Sequence, residues 1–380
     1  MLDSIYEEDH RIFREGVRKF IEREVAPYHA QWERDGVVPR DVWRAAGAQG
    51  LLGMNVPEEY GGPGIEDFRF NVIVQEEIAR SGASGLGFAI HTDIIVPYLI
   101  AYGTEEQKRK YLPGCVTGEC ILAVAMTEPN TGSDLAGIRT SAQRNGSGWL
   151  LNGQKTFISN GILADVVITV ARTHPTEKHA AFTLFLIESG VPGFEPPKKL
   201  RKIGMDAQDT AELFFHDVAL EDTSILGEEN RGFFHLMQML PQERLSIAAQ
   251  AVGGAEAALD WTIEYCKERT AFGKPIGTFQ NSRFKLAEMK TEITVARTFL
   301  NHCILELNED RLTTEKASMA KWWCTELQNR VVDTCLQLHG GYGYMREYPI
   351  ARAFLDTRVQ SIYGGTTEIM KEIIGRSMGF

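Results

Sequence analysis

The residues best equipped for chemistry stand together at Leu240-Pro241-Gln242-Glu243-Arg244-Leu245. A carboxylate and a guanidinium lie side by side just after a proline, inside a run that otherwise reads as apolar helix. Proline has no N–H and its ring crowds the preceding turn, so a kink is expected at Pro241. Such a kink can aim Glu243 inward. In an apolar slot a glutamate rises from its reference pKa of about 4.3 toward neutrality, which suits a general base. Arg244 opposes that rise. Taken without context, a Glu-Arg pair more often means a solvated ion pair on a bent helix.

The elements that must position Glu243 can be read from periodicity. Phe13, Val17, Phe20, Ile21 and Val25 repeat at helical spacing up to Pro27. Thr104-Glu105-Glu106-Gln107 is a capping box opening a further helix. Residues 1–120 therefore read as helical. From residue 121 to about 230 the texture changes to short β-rich runs, among them Val166–Val170, Phe182–Ile187 and Leu213–Phe215. Asn145-Gly146 and Asn152-Gly153 bracket Trp149–Leu151, which predicts successive hairpins. Residues 231–380 return to helical patterning, with helices expected at about 232–268, 279–309, 313–338, 348–358 and 367–377. Helix block, sheet block, helix block is an α+β arrangement, not alternating βα units. Gly341-Tyr342-Gly343 follows a helix and lacks a third glycine, so it is a poor dinucleotide fingerprint. Gly253-Gly254 fits either a widened channel or close helix packing.

Composition narrows the function classes. The 380 residues carry 40 Lys plus Arg against 51 Asp plus Glu, a net charge of −11. An acidic chain without a basic stripe repels phosphate backbones, which argues against nucleic acid as a partner. The 6 cysteines form no C-x-x-C pair, and the 9 histidines show no metal-ligand spacing, so free thiols and no metal are expected. No apolar run reaches the roughly 18 residues that span a membrane, so no insertion is expected. The acidic start, Met1-Leu2-Asp3-Ser4-Ile5, is neither a secretory signal nor an Arg-rich transit peptide. A cytoplasmic protein fits it, as does a mitochondrial matrix form already trimmed of its presequence.

Several stretches, in order and across almost the whole chain, resemble the acyl-CoA dehydrogenase family. Met126-Thr127-Glu128-Pro129-Asn130-Thr131-Gly132-Ser133-Asp134 resembles its T-E-P-x-x-G-S-D signature, and Phe157-Ile158-Ser159-Asn160 its W-I-T-N segment. Arg269-Thr270-Ala271-Phe272-Gly273 with Phe279-Gln280 resembles R-x-x-F-G followed by F-Q, and Gln337–Gly343 resembles Q-x-x-G-G-x-G. The resemblance implies an N-terminal helical domain, a central β-domain and a C-terminal four-helix bundle. It implies α,β-dehydrogenation of an acyl-CoA: a carboxylate removes the α-proton while flavin N5 of FAD takes the β-hydrogen as hydride. It also implies electron-transferring flavoprotein as electron acceptor and a homotetramer.

Carried over residue by residue, Val124, Met126, Thr127, Gly132 and Ser133 border the flavin, with Ser133 also facing the CoA. Phe157, Ile158 and Ser159 pack on or near the ring. Arg269, Phe272 and Gln280 meet the pyrophosphate or adenine end, as do Gln337, Gly340 and Gly341 from a neighbouring subunit. Thr366 and Glu368 open the last helix toward the cofactor. Singly, these residues fit plainer roles: Thr366 an N-cap, Phe157 a core side chain, Arg269 a solvated partner of Glu268.

In many members the residue after Ile-Tyr near the C-terminus is the catalytic Glu; here Ile362-Tyr363 is followed by Gly364. A minority branch, including long-chain and isovaleryl types, carries the base on a helix of the C-terminal domain, and the segment 240–245 resembles that branch. Glu243 is thus the expected proton acceptor, with Pro241, Gln242, Arg244, Gly364 and Gly365 against the substrate and the Gly364 N–H donating to the thioester oxygen. Monooxygenases or oxidases on the same fold, or a non-catalytic member, remain as alternatives.

Overall fold

The computed structural model describes residues 5–174 and 181–380. Six helices come first: α1 Glu8–Phe20, α2 His29–Asp35, α3 Arg40–Ala48, α4 Arg69–Ser81, α5 Val96–Tyr102 and α6 Glu105–Thr117. The expected capping box opens α6, with Thr104 accepting from the Gln107 N–H and Gln107 returning to the Thr104 N–H. A sheet follows: β1 Leu122–Ala125, β2 Ser141–Asn145, β3 Gly148–Ser159, β4 Val166–Arg172, β5 Phe182–Glu188, β6 Lys198–Lys199, β7 Thr210–Glu221 and β8 Ile225–Leu226. Its order is β6-β7-β3-β2-β4-β5-β8, with β1 parallel to β4. The last block is α7 Gly232–Glu268, the small hairpin β9 Thr270–Ala271 and β10 Lys274–Pro275, then α8 Gln280–Asn308, α9 Thr314–His339, α10 Pro349–Thr357 and α11 Thr367–Ser377.

The helix boundaries follow local chemistry. Thr313 and Thr366 cap α9 and α11 by accepting from the N–H three residues on. α7, α8 and α9 bury one shared stripe that includes Ala255, Leu259, Ile293, Leu300, Cys324 and Val331. Five of the six cysteines are buried free thiols, and Cys120 is partly exposed. Gly253 and Gly254 serve close packing: a Cβ at Gly253 would sit 3.3 Å from Glu76 Cα on α4, and one at Gly254 would sit 2.2 Å from Gln328 Nε2 on α9.

One local expectation changes. Asn145-Gly146 makes the β2–β3 hairpin, but Asn152-Gly153 makes none; β3 runs on through it. β7 pairs with β3 on both sides of this point, and the register shift between Leu151 and Gly153 absorbs the extra residue as a bulge. Glycine is required there because Thr140 passes so close that a Cβ would fall 2.4 Å from its Oγ1. α7 runs from Gly232 to Glu268 as one helix with Pro241 inside it. Among the described residues no helix is long and apolar enough to cross a membrane.

Candidate active site

Glu243 lies three turns into α7 and is 4 % exposed. The segment running into and through α5 lies along this part of α7 and fastens it repeatedly. Tyr102 stacks on His235 at 4.1 Å between ring centroids and donates to Gln238 Oε1 at 2.8 Å. Tyr98, fully buried, donates its hydroxyl to Glu243 Oε1 at 2.7 Å. Burial pushes the Glu243 carboxyl up to about 7, against the opposing pull of the Tyr98 hydrogen bond and the Arg244 charge. The Tyr98 phenol is itself pushed well above its ordinary value by burial and by Glu243, so the shared proton stays on the tyrosine. One carboxylate oxygen is therefore fixed in place, in a group that titrates near neutrality.

Tyr98, the partner of Glu243, sits in an apolar cluster drawn from several elements. Met237 and Met239 of α7 pack in one cluster with Tyr98, Leu99, Val124, Met126 and Leu135. That cluster joins Tyr98 to the strand and loop that carry the T-E-P motif. That loop is tightly made: Glu128 and Thr131 exchange backbone hydrogen bonds of 2.9 and 3.0 Å around Pro129-Asn130. The Glu128 carboxylate accepts from the Arg139 N–H at 2.7 Å, the Thr140 N–H at 2.9 Å and Lys155 Nζ at 2.9 Å. Lys155 is fully buried, and burial lowers its ammonium to about 8 against the support of Glu128. Thr127 O accepts from the Thr156 N–H at 2.9 Å. The next residue, Phe157, has φ +60 within the register shift between Lys155 and Ile158, and its ring is 67 % exposed. An exposed aromatic face beside half-buried Thr127 and exposed Gly132 and Ser133 is a fitting wall for a planar heteroaromatic ring. Ser159 is half-buried, whereas Ile158 points into the core with Trp149 and Leu213, so only its main chain can meet a ligand.

The final loop approaches α7 from another side. Gly364 has φ +63, and a Cβ there would lie 2.3 Å from Cδ1 of Ile247, one helical turn beyond Glu243. Tyr363 OH donates to Gln250 at 3.3 Å. The Gly364 N–H makes no hydrogen bond among the described residues, so it is available as a donor. Gly365 is held by its carbonyl, which accepts from Lys321 Nζ at 2.6 Å. Burial, with the nearby Arg244 charge, lowers Lys321 to about 8. The loop is thus held by Lys321. Arg244 is 4 % exposed, donates to Ser318 Oγ at 3.3 Å, and leaves its buried Nε without a partner among the described residues. Pro241 and Gln242 are half-buried, and the Gln242 amide is committed to the Asp93 carbonyl at 2.7 Å.

The other expected cofactor residues lie elsewhere. Arg269, Gly340 and Gly341 line a cleft of about 510 Å³ with Tyr265, His339 and Tyr342. The Arg269 guanidinium sits 5.6 Å from the Tyr342 ring centroid. Gln280 and Gln337 are exposed, and Phe272, at the β9–β10 tip, is 95 % exposed. Arg269 follows the last residue of α7, which puts it roughly 39 Å along the axis from Glu243 at about 1.5 Å per residue. It groups with Gly340 and Gly341 in that cleft. Thr366 is the N-cap of α11, and Glu368 is exposed in its first turn.

Four contributors escaped the sequence reading: Tyr98, Lys321, Lys155 and Asp93. Lys321 had a signal, since it falls on the apolar stripe of α9 between Ala317 and Cys324. Tyr98 had none, because its partner is 145 residues away.

The chain and its fold resemble known proteins. Sequence profiles for the N-terminal, middle and C-terminal domains of acyl-CoA dehydrogenases match residues 7–119, 123–218 and 230–379. The long-chain specific acyl-CoA dehydrogenase of Sus scrofa mitochondria is 54 % identical over 98 % of this chain and 87 % of its own. The acyl-CoA dehydrogenase of Geobacillus kaustophilus superposes with TM-score 0.97 at 48 % identity, covering 99 % of both chains. A Mycobacterium smegmatis glutaryl-CoA dehydrogenase solved with FADH2 superposes with TM-score 0.93 at 29 % identity, covering 100 % of this chain and 96 % of its own. The chain belongs to the acyl-CoA dehydrogenase family of flavoprotein oxidoreductases of fatty-acid metabolism.

Proposed function

We propose that this protein oxidises fatty acyl-CoA thioesters to their 2-enoyl forms, with Glu243 as the α-proton acceptor. The observation that carries the reading is a buried glutamate titrating near 7, gripped on one oxygen by Tyr98, itself part of an apolar cluster. A thioester α-proton is weakly acidic, so its removal needs a base near neutrality and a donor for the charge that develops on the carbonyl oxygen. Glu243 fits the first role. The free Gly364 N–H fits the second, one turn along the same face of α7. Lys321 keeps that donor in place through Gly365, and the charges of Lys321 and Arg244 favour negative charge forming between them.

Bound FAD would supply the two-electron acceptor for the β-hydrogen. Phe157, Ser159 and the 124–133 segment would form the wall against its ring. Thr366 and Glu368 would stand at the α11 N-terminus beside it, where the helix favours an anionic group. Arg269, Phe272, Gln280, Gln337, Gly340 and Gly341 would serve the cofactor of a neighbouring copy; their distance from Glu243 and the exposure of Phe272 and Tyr344 support this, together with a homotetramer. Residues 1–120, 121–230 and 231–380 would act as domains, with electron-transferring flavoprotein as electron acceptor.

The test is anaerobic titration of the purified yellow protein with straight-chain and branched acyl-CoA substrates. Bleaching with formation of 2-enoyl-CoA is expected. By likeness to the long-chain relative, kcat/KM is expected to be highest for long straight chains. A colourless, cofactor-free protein, or hydrogen peroxide released at the rate of turnover in air, would overturn the reading.

A further inference from the structure

The segment that carries Tyr98 begins with a π-helical turn, Ile90–Ile95. Such wide turns disturb regular helix geometry and recur at functional sites. Asp93 lies in this turn, 3 % exposed. Its carboxylate accepts from Asn71 Nδ2 at 2.7 Å, from Ser246 Oγ at 2.9 Å and from Gln75 Nε2. Gln75 Nε2 also donates to Ser246 Oγ at 3.0 Å. The main-chain carbonyl of Asp93 accepts from Gln242 Nε2 at 2.7 Å. All these donors are neutral. A buried carboxylate without a cation is expensive, and an apolar filling of the same space would be the more stable choice. Stability alone therefore does not explain the group.

Its placement does. Gln242 precedes Glu243 and Ser246 follows it by three residues, so Asp93 grips α7 on both sides of the proton acceptor. Two polar contacts that straddle one residue fix both the axial rotation and the height of that turn. Proton abstraction tolerates errors of only about 0.5 Å or 10–20° in a catalytic group. We propose that Asp93 is a positioning residue for Glu243: its carbonyl and its carboxylate clamp Gln242 and Ser246, so that the Glu243 carboxylate stays registered on Tyr98 and on the substrate α-carbon. The inference rests on the reading of Glu243 as the base.

The test uses the flavin-loaded enzyme with Asp93→Asn, which keeps size and the main-chain carbonyl, and with the milder Ser246→Ala. Glu243→Gln is the reference. The readouts are flavin content, melting temperature, acyl-CoA Kd, and the rate of α-proton exchange into D2O for a thioester that carries sulfur at the β-position and so cannot lose hydride. In Asp93→Asn and Ser246→Ala, exchange is expected to slow by about tenfold or more, since sub-ångström misplacement costs up to about a hundredfold. Flavin content and Kd should stay near wild type. Gln242→Met, which loosens the other grip, should slow exchange as well. Lowered melting temperature with exchange at the wild-type rate would make Asp93 merely structural and overturn the proposal. If Glu243→Gln still exchanges, the base assignment fails; if it does not, while Asp93→Asn and Ser246→Ala exchange normally, only the clamp fails.

Discussion

Replacing Tyr98 by Phe removes one hydroxyl and almost nothing else, because the ring is fully buried in an apolar cluster. That hydroxyl donates to the ionised form of Glu243. A donor to the charged form lowers a carboxyl pKa, so its loss must raise it. Hydrogen bonds to charged groups are worth about 1.5–3 kcal/mol, and about 1.36 kcal/mol is one pKa unit. From a starting value of about 7, the carboxyl should move up by roughly one to two units. At pH 7 the ionised fraction then falls from about one half to roughly 1–10 %. The second-order rate constant for anaerobic flavin bleaching by acyl-CoA, which reports the free enzyme, should drop by about 5- to 50-fold at pH 7. It should recover toward wild type by about pH 9, with the acid limb displaced upward and flavin content unchanged. An acid limb that stays in place, or moves to lower pH, would refute the view that Tyr98 holds the ionised base.

The loop and the flavin wall can be probed in the same way. Lys321→Met leaves the Gly365 carbonyl without its donor; a loss of about 1–3 kcal/mol in stability is expected by thermal melts, with kcat/KM for acyl-CoA down at least tenfold as the Gly364 N–H drifts. Gly364→Ala forces a side chain to φ +63 and into Ile247. It should lose activity, and Ile247→Ala added to it should recover part of the loss, a coupling that steady-state kinetics on the double-mutant cycle will read. Lys155→Met strands the buried Glu128 carboxylate; about 3–5 kcal/mol of stability should go, and flavin absorbance per chain should fall as the 126–134 loop loosens.

Much of the architecture was legible because it is written locally. Thr104, Thr313 and Thr366 announce three helix starts by the same capping chemistry, and the apolar stripes of α7, α8 and α9 fix their extents within a residue or two. Asn152-Gly153 misled because a turn dipeptide competes with strand pairing: β3 is paired on both edges there, and the ladder wins. The site was legible in part. Glu243 stood out by its neighbours in sequence, and Gly364 by what it lacks. Its supports did not, since Tyr98, Asp93 and Lys321 act across 145, 149 and 44 residues of chain respectively. Arg244 is the neighbour of Glu243 in sequence. A helix turns that neighbour toward α9 and Ser318.

The central claim is that Glu243 takes the α-proton, and one substitution tests it without disturbing shape. Glu243→Gln keeps the Tyr98 hydrogen bond and the packing, so the protein should stay yellow and bind acyl-CoA. Mixed anaerobically with a long straight-chain acyl-CoA in a stopped-flow instrument, it should show no flavin bleaching where the wild type bleaches within a turnover. Bleaching of the variant at the wild-type rate would contradict the account, for the proton would then have another acceptor.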